Sequence, residues 1–232
     1  MAKHGENKRL KRLNTPNLVS ISKKDKVWIS KPISGTHPRS KSISLLVLLR
    51  DVLKLAGTSK EAIALVKSGK ILVDGRVVKE YKFPIGYMDL INIPEVNMTY
   101  YIDLDHNGRF QAKRDDKKKT KLLRLKNRRT IDKGKYQLIF SDGRTLLSDE
   151  VYKTGDSLLI SMPDMKIIEH LPLKEGSDCR IIGGTRSGMY GKVKSIVPGS
   201  TNSRTKIEVE DETGKVFFTV KDYVYVIKGG DV

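Results

Sequence analysis

The stretch SISLLVLLRDVLKLAG (42–57), continued by TSKEAIALVKSGKILVDGRVVKEYKFPIGYMDLINI (58–93), decides how the chain is read. Leu45, Leu48, Leu49, Val52 and Leu53 recur at three- and four-residue spacing, which puts them on one face of a first short helix. Gly57 is expected to stop that helix as a left-handed cap. Thr58 and Glu61 then stand three residues apart, the spacing of a reciprocal capping box that opens a second helix. Ile63, Leu65 and Val66 give the second helix an apolar side and leave Lys60, Lys67 and Lys70 to solvent; Gly69 ends it. Ile71 to Val78 is two β-branched runs around Asp74-Gly75, the signature of a two-residue hairpin. A last strand runs from Met88 to Ile93.

Helix, capped basic helix and short hairpin, in that order, resemble the S-four RNA-binding module. Its signature falls here on Gly69, Lys70, Ile71, Leu72, Val73, Asp74 and Gly75. The resemblance implies a shallow basic surface, formed by the second helix and the hairpin, that follows an RNA backbone. Lys60, Lys67, Lys70 and Arg76 are its expected contacts. The blander alternative is a plain ααβ-hairpin domain whose lysines are solvated charges.

Composition limits the rest. The 232 residues are enough for two or three small domains, and only 6 % are aromatic, so the cores should be modest and aliphatic. Lys and Arg total 45 against 27 Asp and Glu, a net charge of +18 that suits a polyanion: nucleic acid first, anionic membrane second. No apolar run approaches the roughly 18–20 residues that span a bilayer. The first residues, MAKHGENKRLKR, have no apolar core of a secretory signal. A single cysteine, Cys179, excludes an intrachain disulfide and a Cys-rich zinc site. A cytosolic protein without cofactor or metal is expected.

Half of the excess charge lies in residues 1–41, which hold eleven basic and two acidic residues. Lys3, Lys8, Arg9, Lys11, Arg12, Arg39 and Lys41 are candidate RNA contacts of this arm. Prolines 16, 32 and 38 break any long helix, so the segment by itself should be extended or poorly ordered, with Trp28 as the residue able to pin it to a domain. Its function would be to enter folded RNA, each neutralised phosphate releasing counterions.

Beyond the module, YYIDLDHNGRF (100–110) echoes the start of a calcium loop. The position that needs a bidentate Glu holds Arg114, however, and a hairpin with an Asn107-Gly108 turn is the better reading. Lys113 to Arg129 carries ten basic and two acidic residues. It reads as a second phosphate-contacting surface, with Lys117, Lys118, Lys119, Arg128 and Arg129 as contacts and Leu122, Leu123 and Leu125 docking part of it as a strand or short helix. Residues 135–173 are short apolar runs separated by turns, expected to form a small barrel or sandwich.

The final segment holds a second motif, CRII–GGTRSGMYG–KVKSI (179–196), strand, glycine-rich loop, strand. It is not a phosphate-binding P-loop, because Met189 stands where the lysine is required. It resembles the KOW element of SH3-like barrels, with the expected glycine at Gly188. In that family the loop contacts RNA or protein, which makes Arg186, Lys192 and Lys194 candidates. The alternative is that the glycines only shape a turn.

Taken together the motifs resemble the archaeal and eukaryotic small-subunit ribosomal protein S-four-e family, of archaeal type. The stretches that carry it are HGENKRLKRLNTP (4–16), ISGTHPRSKSISLLVLLRDVL (33–53), VDGRVV (73–78), FPIGYMDLINI (83–93), NGRF (107–110), DGRT (142–145) and GGTRSGMYGKV (183–193). The expected class is α+β: a small α/β-hairpin S-four-like module followed by two β-rich domains, the last an SH3-like KOW barrel. Its segments are a basic arm (1–41), the module (42–98), a central β-rich domain (99–174) and the barrel (175–232). The resemblance implies a non-enzymatic constituent of the small ribosomal subunit in the cytoplasm. It would clamp ribosomal RNA beside neighbouring ribosomal proteins, as a monomer and away from membranes. Two rivals differ in class. An RNA-modifying enzyme lacks support, since His4, His37, His106 and His170 are isolated and Cys179 opens an apolar strand. A regulatory or transcription-elongation-type factor would instead use the KOW barrel for a protein partner.

Overall fold

The computed structural model describes residues 10–22, 24–131, 134–200 and 203–228. The chain divides into two compact units. One gathers the residues up to Asp103 with Arg109–Lys118; the other gathers Leu104–Gly108 with the residues from Lys119 onward.

In the first unit, β1 (Leu10–Lys11) pairs antiparallel with β2 (Trp28–Ile29), Leu10 opposite Ile29 and Lys11 opposite Trp28. Leu10, Val19 and Ile29 are buried, and they rather than Trp28 anchor the segment; Trp28 remains 50 % exposed. Ile33 N–H donates to Lys82 O at 3.0 Å and Thr36 Oγ1 to Pro84 O at 3.3 Å. Residues 10–22 and 24–41 are therefore a folded strap, not the extended arm expected of them alone. Enough apolar side chains are spaced along this strap to offset its ordering entropy.

β3 (Ile43–Ser44) leads into α1 (Leu45–Val47), which widens into a π-helical turn over Leu48–Val52. Leu45, Leu46, Val47, Leu48 and Leu49 are all buried. At about 100° per residue, five successive side chains point all round the axis, so this helix is enclosed and has no single apolar face. It ends sooner than expected. Leu53 N–H bonds to Leu48 O at 2.8 Å, Leu55 N–H to Leu49 O at 2.9 Å, and Lys54 takes the left-handed conformation foreseen for Gly57 (φ 54°). α2 (Ser59–Lys67) has the expected capping box on Thr58 and Glu61, but its buried residues are Ala62 and Val66, while Leu65 is exposed.

β4 (Leu72–Val73) and β5 (Arg76–Val77) form the Asp-Gly hairpin, with Asp74 and Gly75 both at positive φ (48° and 78°), as a type I′ turn requires. Asp74 is also buried and its carboxylate accepts from Leu90 N–H at 2.9 Å, tying the turn to the next strand. β6 (Pro84–Ile85) pairs with β3. β7 (Leu90–Ile93), β8 (Met98–Leu104) and β9 (Phe110–Arg114) complete a five-stranded sheet in the order β5-β4-β7-β8-β9. The calcium-loop echo resolves as the turn between β8 and β9. Asn107 N–H bonds to Asp105 Oδ1 at 2.9 Å, and Asp103 is held by Lys113 Nζ at 2.8 Å.

The second unit is two antiparallel five-stranded sheets. β10 (Thr120–Thr130), β11 (Tyr136–Phe140), β12 (Thr145–Ser148), β13 (Ser157–Ser161) and β14 (Ile167–Leu171) lie in the order β12-β11-β10-β13-β14. β10 is long enough to change partners: Thr120–Arg124 pair with β13, and after a bulge at Leu125/Asn127 its second half pairs with β11. β15 (Asp178–Ile181), β16 (Tyr190–Val197), β17 (Lys206–Asp211), β18 (Val216–Val220) and β19 (Val224–Val226) follow in the order β18-β17-β16-β15-β19. Cys179, Ile181, Val193, Ile207, Val209, Phe217 and Val224 form one apolar cluster inside this last sheet. Gly188 lies in the loop between β15 and β16 at φ 91°, where an added Cβ would sit 2.0 Å from Asp105 O. The glycine is thus a backbone-to-backbone contact point as well as a turn residue.

Candidate nucleic-acid interface

α2 divides its residues by face. At 100° per residue, Lys60 and Lys67 share one stripe, turned away from the buried pair Ala62 and Val66, and both lysines are exposed. The hairpin adds Arg76, exposed on β5, and Lys70, whose Nζ is 2.9 Å from Glu95. That pair is open to water on both sides, 46 % and 55 % exposed, so it is weak and free to exchange for a phosphate. The four cations foreseen on the module thus all lie on its surface.

At the start of α2 the charges are fixed among themselves. Arg50 forks onto Asp51 (2.9 and 2.6 Å), its remaining amino group reaches Ser59 Oγ at 2.6 Å, and Lys26 Nζ reaches Asp51 at 2.6 Å. Burial raises the Asp51 carboxyl, but the hydrogen bonds from Arg50 and Lys26 outweigh it and hold the group below the usual carboxylate range. This cluster joins strap to module, and Lys26 is not an open phosphate ligand.

The strap residues separate in the same way. Lys11 and Arg39 are exposed and Lys41 is half-buried. Arg12, read from sequence as a phosphate ligand, is only 5 % exposed and donates Nη2 to Val19 O and Ile21 O. Its Nη2 closes the 12–21 loop from inside and the side chain is buried there, away from any phosphate. Lys3, Lys8 and Arg9 lie outside the described residues, as does Lys23.

The basic stretch 113–129 is half interior. Lys121 is 1 % exposed and 3.3 Å from Asp142; Arg124 is 5 % exposed and 3.1 Å from Asp222. Lys117, Lys119, Arg128 and Arg129 are exposed, and Lys118 lies with its Nζ 3.7 Å from the Tyr101 ring centroid. Arg128 Nη1 donates to Tyr152 O at 3.0 Å. Of the last sheet's candidates, Arg186 is exposed with its guanidinium 4.1 Å from the Phe217 ring centroid, and Lys194 is exposed. Lys192 is also exposed, with Asp178 and Glu210 as its cross-strand neighbours, so its surroundings are acidic.

Two histidine–aspartate pairs escaped the sequence reading. His37 Nε2 lies 3.1 Å from the buried Asp89, and His170 Nε2 lies 2.8 Å from the buried Asp156. Both aspartates also accept backbone N–H groups, Asp89 from Gly86 and Asp156 from Leu173 and Lys153, so they act as loop clasps. Among the described residues no group of three His, Cys, Asp or Glu side chains could hold a metal, and no helix is long and apolar enough to cross a membrane. Burial pushes the Cys179 thiol up to about 12, with the Asp178 charge adding to it, which makes it an inert core atom.

Exposed cations on a capped helix and hairpin, carried with strand-built sheets, define a basic RNA-binding protein of the S-four class. The S4 domain model matches residues 45–91, and the model described as Ribosomal family S4e matches residues 96–167. The chain is 38 % identical to the small ribosomal subunit protein eS4 of Methanocaldococcus jannaschii, covering 98 % of this chain and 96 % of that one. It is also 38 % identical to the eS4 of Archaeoglobus fulgidus, over 94 % and 92 % of the two chains. The crystal structure of the 30S ribosomal protein S4e from Thermoplasma acidophilum superposes with a TM-score of 0.68 at 31 % identity, covering 82 % of this chain and 96 % of that one. The chain belongs to the ribosomal S4e family.

Proposed function

We propose that the chain is a structural, non-catalytic constituent of the small ribosomal subunit that binds ribosomal RNA and clamps separated segments of it together. The observation that carries this is the sidedness of α2: Lys60 and Lys67 stand on the stripe opposite the buried Ala62 and Val66, with Lys70 and Arg76 on the hairpin that follows. The family to which the chain belongs supplies the ribosome as its setting, and so the cytoplasm. Phosphate contacts position RNA without demanding a fixed base sequence, which suits a clamp.

The functional segments are the basic arm (1–41), the S-four module (42–98), a central β-rich domain (99–174) and a C-terminal barrel of SH3-like KOW type (175–232). The strand order β18-β17-β16-β15-β19 and the docked Gly188 support the last assignment. RNA is met by Lys11, Arg39, Lys41, Lys60, Lys67, Lys70, Arg76, Lys117, Lys118, Lys119, Arg128, Arg129 and Arg186, together with Lys3, Lys8 and Arg9. Asp178, Glu210, Asp211 and Glu212 around Lys192 favour a neighbouring ribosomal protein, not RNA, against that end of the barrel. The protein sits there as a single copy.

Crosslinking in intact cells followed by sequencing of the bound RNA tests this. Crosslinks confined to small-subunit ribosomal RNA are expected, with about one copy of the protein retained on salt-washed subunits. Crosslinks spread over transfer RNA or nascent messages, or washed subunits lacking the protein, would instead indicate a regulatory or elongation-type factor.

A further inference from the structure

Trp28 is the only tryptophan of the chain. On β2 the strand alternation turns Ile29 inward, 8 % exposed, and leaves Trp28 outward, 50 % exposed. Val27, just before β2, is 69 % exposed, and Leu13, in the turn that follows β1, is 75 % exposed. An exposed aromatic side chain next to an exposed valine is an unusual thing to offer water in a strongly charged protein.

The strand that carries the ring is held in place. β1 and β2 pair, Arg12 N–H bonds to Val27 O at 3.0 Å, and the Arg12 guanidinium closes the intervening loop from inside. Ordering of this backbone was therefore met in folding and does not oppose binding. Beside the ring stands a cation. Lys11 is the cross-strand partner of Trp28, exposed, with its Nζ 5.9 Å from the ring centroid. A flat π-face next to an exposed ammonium matches one nucleotide of an RNA strand, whose base offers a face and whose phosphate offers a charge. A paired base inside a helix shows only its edge, so the match is to an unpaired one.

We propose that Trp28 stacks on an unpaired nucleobase of the bound RNA while Lys11 takes a phosphate of the same strand. The inference rests on the RNA-binding function proposed above and names one contact within it.

Because Trp28 is the sole tryptophan, its emission reports this site alone. The full chain would be titrated with single-stranded RNA oligonucleotides and with a fully paired RNA duplex. Tryptophan fluorescence and anisotropy of end-labelled RNA would be followed in parallel. The expected result is quenching by single strands that saturates with binding, and little quenching by the duplex at equal occupancy. Trp28→Ala should lose roughly 5- to 100-fold in single-strand affinity, and Trp28→Phe should recover most of it. Circular dichroism of both variants should match the parent. Binding by anisotropy with unchanged emission, equal quenching by duplex, or full affinity in Trp28→Ala would overturn the stacking contact and leave RNA binding intact. The exposed ring would then await a protein neighbour. No anisotropy change with any RNA would sink the RNA-binding function itself, and the stacking contact with it.

Discussion

Arg12 donates to two carbonyls from a site 5 % exposed, while Lys11, one residue earlier, is exposed beside Trp28. Replacing Arg12 by Gln leaves those carbonyls short of a donor in a place water does not reach. A loss of about 1–3 kcal/mol in unfolding free energy is expected from chemical denaturation. Lys11→Gln should shift stability by no more than about 0.5 kcal/mol and show its effect in RNA affinity instead. Nothing in LKRLN distinguishes the two, because the fate of a positive charge is decided by carbonyls that arrive seven and nine residues later, at Val19 and Ile21. Lys121 and Arg124 were illegible for the same reason: their partners Asp142 and Asp222 are remote in sequence. Cys179 was legible, since a lone cysteine opening an apolar strand is nearly always core. With its thiol pushed up to about 12 by burial, it should resist a thiol-specific disulfide reagent at mildly alkaline pH in the native state and react at once on denaturation. Rapid labelling of the native protein would contradict the burial.

Short-range chemistry was read correctly wherever it closes on itself within a few residues. The Asp74-Gly75 turn and the Thr58–Glu61 box need no distant partner, and both formed as expected. The first helix did not follow its pattern, because five buried residues in a row enclose it on every side and the widened turn places the left-handed residue at Lys54. Two element-scale consequences can be measured. Gly188→Ala puts a methyl group 2.0 Å from Asp105 O at φ 91°, where neither backbone can yield cheaply. A destabilisation on the order of 2 kcal/mol or more is expected, read from thermal unfolding of the full chain. A variant as stable as the parent would mean that the loop only makes a turn. At the α1–α2 corner, Asp51 titrates below its usual range, so it binds fewer protons folded than unfolded. Its contribution is thus fully present above roughly pH 5 and fades as acid carries the medium through the depressed folded value. The stability gap between parent and Asp51→Asn should be constant near neutrality and shrink as the pH falls; a gap that widens in acid would reverse the sign of the coupling.

A net charge of +18 makes the whole molecule a polycation, but the fold does not spend that charge evenly. Arg12, Lys121 and Arg124 are interior, Lys26 and Arg50 are locked on Asp51, and Lys192 stands between Asp178 and Glu210. What remains exposed includes the α2–hairpin set, Lys117, Lys119, Arg128 and Arg129, and Lys11 with Arg39 on the strap. The strap cannot simply be deleted to test its role, because Leu10, Val19, Ile29 and His37 are part of the buried interior and their removal would be read as lost binding when it is lost folding. Charge substitutions on the intact chain avoid that. Phosphate binding releases counterions, so the logarithm of RNA affinity should fall linearly with the logarithm of salt concentration, each contact contributing about 0.7–0.9 to the slope. Replacing Lys60, Lys67, Lys70 and Arg76 together by Gln should lower the slope by about 3, somewhat less if Glu95 keeps Lys70 occupied, and weaken binding to all RNA sequences alike. Lys192→Gln should leave it unchanged, since Asp178, Glu210, Asp211 and Glu212 line the same groove and repel phosphate. A quadruple variant whose slope equals the parent's would move the RNA off the module, and a slope lowered by Lys192→Gln would bring it onto the acidic end of the last sheet, proposed above to face a protein.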